Sequence, residues 1–555
     1  MTTVEAKLSG IAREYDRAVA LLTEERAPER LLAQDPSLWS PHLEVQGQIG
    51  QSLGWLKAPD TLAPLWPELV AFRQSLRQDG FTHAVLLGMG GSSLISVVWT
   101  EVFAPGPEAL TLSVLDSTDP ETVAELRDRL PLAHTVFLVA SKSGSTTEPD
   151  NFARYYWAAL EVAGIDPGSH FAAITDPGTR LAEQATREQW RHAFLNPSDI
   201  GGRYSALSLF GLVPAALLDL DGDALLASAR AMRDQIGATA GPDNPAVALA
   251  AFLGGGVEAG RDKATLHAVG RLGPVTLWLE QLLAESTGKN GTGVVPVSEA
   301  HLGAAREYGG DRLLVTLTLA GDPADPAAAG LSSLPQLHFQ VTDLNDLGGE
   351  FLRWEAATAL TGRVLGINPF DQPNVQESKD NTRDMLAIHE TKGRLPEVDD
   401  VPHLGVESPA LSPLLRAWLE DAHPGEYVAV MAYVPERPEI AARFDALQGA
   451  LRARTGLAVT VSYGPRFLHS TGQLHKGGPA KGRFLQLIAP EERVAAEPVP
   501  GLPYSFNVLI AAQAKGDLKA LSSRGRPVLA VNLGGDPLLG LDQLLAELDQ
   551  SGQRS

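Results

Sequence analysis

The residues best suited to chemistry crowd the stretch Thr135 to Pro149, TVFLVASKSGSTTEP. Ser141, Lys142, Ser143, Ser145, Thr146 and Thr147 fall together around Gly144. The run before them, Val136 to Ala140, is apolar and rich in β-branched residues, which predicts a strand. Glu148 and Pro149 after them suit the first turn of a helix. A strand that feeds a hydroxyl-rich turn at a helix N-terminus is a ready anion site, because backbone N–H groups, the helix dipole and hydroxyl donors converge there. The plainer alternative is a solvated N-cap with spare hydroxyls.

Other reactive side chains are dispersed. In VTLWLEQLLAESTGK, Gln281 and Glu285 are four apart and share a helix face, while Glu280 points elsewhere. That face could hold a proton-transfer carboxylate, or it could be a solvated polar stripe. Arg203 stands between a Gly-Gly turn and an apolar helix in IGGRYSALSLFGLVPAAL, and Lys379 ends FDQPNVQESK. Each could reach a ligand or make a structural ion pair. His301 lies in a predicted loop. The turn GMGGSS follows a strand-like run, but the third glycine of a dinucleotide fingerprint would fall at Ser93, so that pattern fails. Gly90 and Gly91 would let a sugar approach the backbone beside Ser92, or would simply make a tight turn.

The elements needed to position these groups alternate. Strand-like runs at His83 to Leu87, Leu110 to Leu115, Val136 to Ala140 and residues 171 to 175 are separated by helical patterns. That spacing predicts βαβ units around a parallel sheet, with the polar clusters at strand C-terminal ends, where ligands bind. A second set follows at Ala264 to Val269, Leu313 to Leu319 and Leu337 to Val341. A third is expected at Tyr427 to Val434, Ala458 to Tyr463, Phe484 to Ile488, Val508 to Ala512 and Val528 to Val531. The expected units are an N-terminal helical segment over 1–80, α/β domains over 81–240 and 241–395, and a C-terminal α/β domain over 405–555. The stretch TKGRLPEVDDVPHLGVESP reads as a linker, and about the last ten residues as a frayed end.

Bulk composition narrows the function classes. The 555 residues carry a formal charge of -22, which argues against sequence-independent nucleic-acid binding. There is no cysteine, so thiolate catalysis, a cysteine zinc site and a disulfide framework are excluded. The N-terminus has no apolar signal core, and no run of about 18 apolar residues exists, so a cytoplasmic protein without a membrane span is expected.

Together the motifs resemble the phosphoglucose isomerase (glucose-6-phosphate isomerase) family. GMGGSS resembles that family's glycine turn, SKSGSTTEP its phosphate loop, GGRYSALSLFGL and INPFDQPNVQESK its two signature blocks, and QLLAESTGK the segment with its catalytic glutamate. The likeness covers about residues 81 to 390. The remainder, including HSTGQLHKGGPAKGRFLQL, is similar to the isomerase half of bifunctional transaldolase/phosphoglucose isomerases, with no transaldolase barrel present.

The resemblance implies two sugar-isomerase (SIS) domains, each a parallel sheet flanked by helices. It implies reversible conversion of glucose 6-phosphate to fructose 6-phosphate without metal or other cofactor. By motif position, Glu285 is the base with Gln281 beside it, and Arg203 stabilises the enediolate. Ser141, Ser143 and Thr146, with the backbone at Lys142, hold the phosphate; Gly91 and Ser92 touch the sugar; Lys379 helps open the ring. The family's ring-opening histidine has two candidates, His301, which is favoured, and His475 in QLHKGGP; the sequence around His301 departs from the family pattern. A homodimer and a separate transaldolase partner are compatible with the resemblance. A dual-specificity phosphoglucose/phosphomannose isomerase and a non-catalytic sugar-phosphate sensor are the alternatives.

Overall fold

The computed structural model describes residues 2–323, 325–398 and 403–552. Among the described residues, three five-stranded sheets organise the fold. The first strand, β1 (Thr3–Lys7), stands apart from the sheet that follows it in sequence. The first sheet contains β2 (His83–Leu87), β3 (Thr111–Leu115), β4 (Thr135–Ala140), β5 (Phe171–Thr175) and β6 (His192–Leu195), all parallel, in the order β3-β2-β4-β5-β6. Every residue of β4 is buried, which is why its sequence reads as a continuous apolar run.

The second sheet contains β7 (Lys263–Ala268), β8 (Val295–Ser298), β9 (Arg312–Leu319) and β10 (Gln336–Val341), in the order β1-β10-β9-β7-β8. Only β1 runs antiparallel, pairing Thr3 with Gln340 through Lys7 with Gln336. The third sheet contains β11 (His403–Gly405), β12 (Tyr427–Tyr433), β13 (Ala458–Tyr463), β14 (Gly482–Ile488) and β15 (Val528–Asn532), in the order β11-β15-β14-β12-β13. Within the first sheet the chain starts centrally at β2, places β3 on one side, and then crosses to β4 on the other. The ends of β2 and β4 therefore flank a topological switch point, where a ligand crevice forms in open α/β sheets.

Helices cover the sheets. Those that position the site are α1 (Thr147–Val162), α2 (Pro245–Glu258), α3 (Val275–Thr287), α4 (Leu347–Val364), α5 (Val375–Lys392) and α6 (Phe506–Ser522). One continuous apolar core includes Leu86 and Leu138 of the first sheet, Leu266 and Val315 of the second, and helices α2, α3 and α4 between them. The first two sheets thus share a core across the expected boundary near residue 240. The third sheet packs one face on Ala284, Val295 and Val297 of the second unit. Helix α6 adds Phe506 and Leu509 to the outer face of the first sheet, against Val139, Phe152 and Tyr156.

Several sequence expectations need correction. The N-terminal segment is helical at Ala12–Glu24 and Trp66–Gln78, but it opens with a strand whose alternation was too short to stand out. Val508 to Ala512 is not a strand. It lies inside α6, which is buried on two sides and so loses the one-sided apolar pattern of a surface helix. Ser505 caps that helix by accepting from the Val508 N–H at 3.3 Å. The short strands β6, β8 and β11 were not expected. In the predicted linker, α5 continues to Lys392 and β11 joins β15; residues 399–402 lie outside the described residues. The chain end is helical from Pro537 to Gly552 rather than frayed, and residues 553–555 lie outside the described residues. Among the described residues, no helix is long and apolar enough to cross a membrane.

Candidate active site

Two loops at the switch point begin the site. The turn Gly90–Ser92 follows β2, and Gly90 adopts φ +56°, a conformation that L side chains rarely take. Its partners explain the need for glycine further. A Cβ on Gly91 would lie 2.2 Å from the Gly202 carbonyl oxygen, and one on Gly90 would meet His469 and Gln281. The glycines therefore let the segments carrying Arg203, Gln281 and His469 close on one another. Ser92 is half-buried in this turn.

The hydroxyl loop follows β4. Ser141 is buried and donates to Thr146 Oγ1 at 2.9 Å, while the Ser143 and Ser145 hydroxyls are 3.0 Å apart. Thr146 occupies the N-cap of α1 without a side-chain capping bond, which leaves the Thr147 N–H without a capping oxygen; Pro149, third in the turn, has no N–H to offer. The Lys142 ammonium is committed elsewhere, to Asp176 and to the Ser198 carbonyl, so this residue offers its backbone rather than its charge.

Helix α3 carries the carboxylate. It is buried along almost its whole length, so Gln281 and Glu285 form no solvated stripe; they are 3% and 9% exposed. Gln281 Nε2 donates to Glu285 Oε2 at 3.2 Å and to the His469 carbonyl at 2.7 Å. Arg203 Nη1 stands 3.2 Å from Glu285 Oε1. The rest of the guanidinium is fixed by Ser286 at 2.7 Å, Gln372 at 2.9 Å and the carbonyls of Pro369 and Asp371 at 2.6 and 3.1 Å. A buried carboxylate needs such a partner, since desolvation of a lone charge costs several kcal/mol. Glu280, one residue away, does turn elsewhere, toward the Ser298 N–H, and burial pushes its carboxyl up to about 8.

The loop before α5 joins this group. Lys289, buried at the end of α3, donates to Asp371 Oδ1 at 2.7 Å. Burial, and then the nearby Arg203 charge, push its ammonium down to about 8. Lys379, one turn into α5, is exposed on the wall of a cleft of about 560 Å³. Ser145, Thr146, Glu148, His469 and Gln513 line the same cleft.

The histidine in that cleft is neither of the two expected. His301 is exposed, with its carbonyl accepting from Arg452 at 3.2 Å, and nothing brings its ring to Glu285. His475 is buried among Tyr427, Phe467 and Phe484 with neither ring nitrogen hydrogen-bonded. Burial pushes its imidazole down to about 3. His469 instead sits against Glu148, Nε2 to Oε1 at 3.2 Å. It belongs to the turn Arg466–His469 of the third unit, held by Arg466, which donates to Asp116 at 2.7 and 2.9 Å. Asp116, just past the end of β3, also accepts from Ser93 at 3.1 Å. Burial pushes the Glu148 carboxyl up, but the charges of His469 and Lys379 outweigh it and hold this group below the ordinary carboxylate value.

The structure thus brings Arg203, Gln281 and Glu285 together, links them through His469 to the hydroxyl loop, and sets Lys379 on the cleft wall. Sequence reasoning missed His469, Lys289, Gln372 and the role of Glu148. Glu148 carried a signal, a carboxylate within the anion loop itself; His469 carried none in spacing, because a different sheet delivers it.

Parallel sheets wound in this way and flanked by helices make up the sugar-isomerase fold. A hypothetical protein from Thermus thermophilus superposes with a TM-score of 0.60 at 24% identity, covering 69% of this chain and all of that one. A glucose-6-phosphate isomerase from Chlamydia trachomatis gives 0.56 at 18% identity, over 75% of this chain and 91% of that one. Residues 75–308 match the family model of phosphoglucose isomerase. A glucose-6-phosphate isomerase of Synechococcus sp. (strain JA-3-3Ab) is 37% identical over 265 residues, 43% of this chain and 50% of that protein. One of Citrifermentans bemidjiense is 34% identical over 260 residues, 42% of this chain and 48% of that protein. The chain spans about half the length of the curated relatives it matches. Lys379, His469 and Gln513 lie beyond the segment that the family model covers.

Proposed function

We propose that this chain interconverts glucose 6-phosphate and fructose 6-phosphate by acid–base proton transfer. The observation that carries the reading is the buried Glu285 carboxylate fixed between Gln281 and Arg203, with His469 linking it to the hydroxyl loop. Ser141, Ser143, Thr146 and the backbone from Lys142 bind the phosphate, and that remote binding energy positions the sugar. The Gly91 backbone and Ser92 meet the sugar hydroxyls. Lys379 and His469 open the ring, by giving a proton to the ring oxygen and removing one from the anomeric hydroxyl.

On the open-chain aldehyde, Glu285 takes the proton from carbon 2. The electron pair forms the C1–C2 double bond, and O1 gains a proton, giving a cis-enediol. Loss of the O2 proton and return of the Glu285 proton to carbon 1 give the ketose. Arg203 stabilises the oxyanion that develops; a fixed donor of that kind contributes about 100- to 1000-fold in rate. No redox partner is needed, because one carbon is oxidised as its neighbour is reduced.

The reading places the reaction in the cytoplasm. It also carries two expectations of assembly, a homodimer and a transaldolase docked on residues 400–555, for sedimentation and co-purification to test. Purified protein should convert fructose 6-phosphate to glucose 6-phosphate in an assay coupled to a dehydrogenase. Folded protein that gives no turnover would rule the activity out; thermal stabilisation by the sugar phosphate without turnover would make the chain a sensor.

A further inference from the structure

Helix α6 reaches from the third unit into the cleft and presents there one polar side chain, Gln513, which is 2% exposed. Its Nε2 donates to Glu148 Oε1 at 2.7 Å, and its Oε1 accepts from the Thr118 hydroxyl at 2.7 Å. The direction of the amide follows from its partners. An ionised carboxylate only accepts, so the amide nitrogen must face Glu148, and Thr118, whose hydroxyl can act either way, must donate. Glu148 Oε1 thereby receives two donors, Gln513 and His469. This makes Nε2 the His469 nitrogen that donates to Glu148 and leaves Nδ1 as the ring nitrogen that can exchange a proton.

We propose that Gln513 is a positioning residue: it fixes the Glu148 carboxylate so that Glu148 holds His469 in one tautomer and orientation for ring opening. The inference rests on the isomerase reading for its catalytic consequence. It also gives the third unit a role in the site, since His469 and Gln513 both belong to it, while Thr118 follows β3 and Glu148 lies in the first turn of α1. The relay Thr118–Gln513–Glu148–His469 crosses back and forth between the two units. A glutamine that only filled space would need neither the amide orientation nor a buried carboxylate as acceptor. The contact is well anchored, because Arg493 binds Asp119 and Glu121 beside Thr118, and Arg466 binds Asp116.

The test uses the full chain with Gln513→Met, which keeps the length and removes donor and acceptor, and Thr118→Val, which frees the amide to turn. Gln513→Met should lower kcat about tenfold or more with KM changed less than about threefold, and Thr118→Val should move kcat in the same direction by a smaller factor. Independently of turnover, the Nε2–H proton resonance of His469 should be visible downfield in the parent and lost or broadened in Gln513→Met. Parent-like kcat and an unchanged His469 resonance in folded Gln513→Met would overturn the proposal. If that variant does not fold, Thr118→Val decides on the same two readouts. Loss of the resonance in a chain whose parent does not turn over hexose phosphate would uphold the positioning and refute the isomerase reading instead.

Discussion

At the residue scale the account turns on how Arg203 is held. Its guanidinium meets Ser286, Gln372, two backbone carbonyls and Glu285, so it is a fixed cation rather than a mobile one. Fixed charge reduces reorganisation as the enediolate forms. Arg203→Ala should therefore lower kcat by about 100- to 1000-fold while KM for fructose 6-phosphate changes much less; the reverse pattern would make it a binding residue. The same change strands the buried Glu285 and should cost about 3–5 kcal/mol of stability, read as a fall in denaturant midpoint. Arg203→Lys should not restore activity, because an ammonium cannot reproduce the planar fork that reaches several acceptors at once.

At the scale of elements, the turn Arg466–His469 is the piece that joins the units. Arg466 ties it to Asp116, and Asp116 is tied to Ser93 beside the glycine turn. Arg466→Ala should lower kcat about tenfold or more by releasing His469, without weakening inhibition by inorganic phosphate, which reads the hydroxyl loop alone. Weakened phosphate inhibition would show that the turn supports the loop and not the histidine. This element also marks the limit of what could be read in the sequence. The hydroxyl loop, the glycine turn and the shared face of Gln281 and Glu285 were legible as local structure, because each is made by neighbouring residues; spacing left their roles open, and those came from the resemblance. His469 was not, because its position depends on how a third sheet docks through Arg466 and Arg493. Helix α6 was misread for a related reason, since burial against two units removed the polar face that marks a helix. Strand β1 was hidden by distance, because its partner β10 lies at the far end of the second unit.

At the scale of the whole molecule, the proposed reaction divides the labour among three sheets: the first would offer the anion loop, the second the base, and the third the histidine. The third unit also stores a pH dependence. His475 is buried with its imidazole pushed down to about 3, against an ordinary value of 6.5. Only the unfolded chain takes up that proton between these values, so this contribution to stability is full above about pH 6.5 and declines as pH falls toward 3. His475→Phe, which suits the aromatic surroundings, should flatten the fall in melting temperature between about pH 6.5 and 4; an unchanged slope would remove His475 as its source. The central claim is that Glu285 moves the proton between carbons 2 and 1. It is tested most directly by following deuterium incorporation into fructose 6-phosphate in heavy water by proton NMR. The account predicts exchange at carbon 1 with the parent chain and none above background with Glu285→Gln, in protein that still binds the substrate. Exchange at the parent rate in that variant would contradict it.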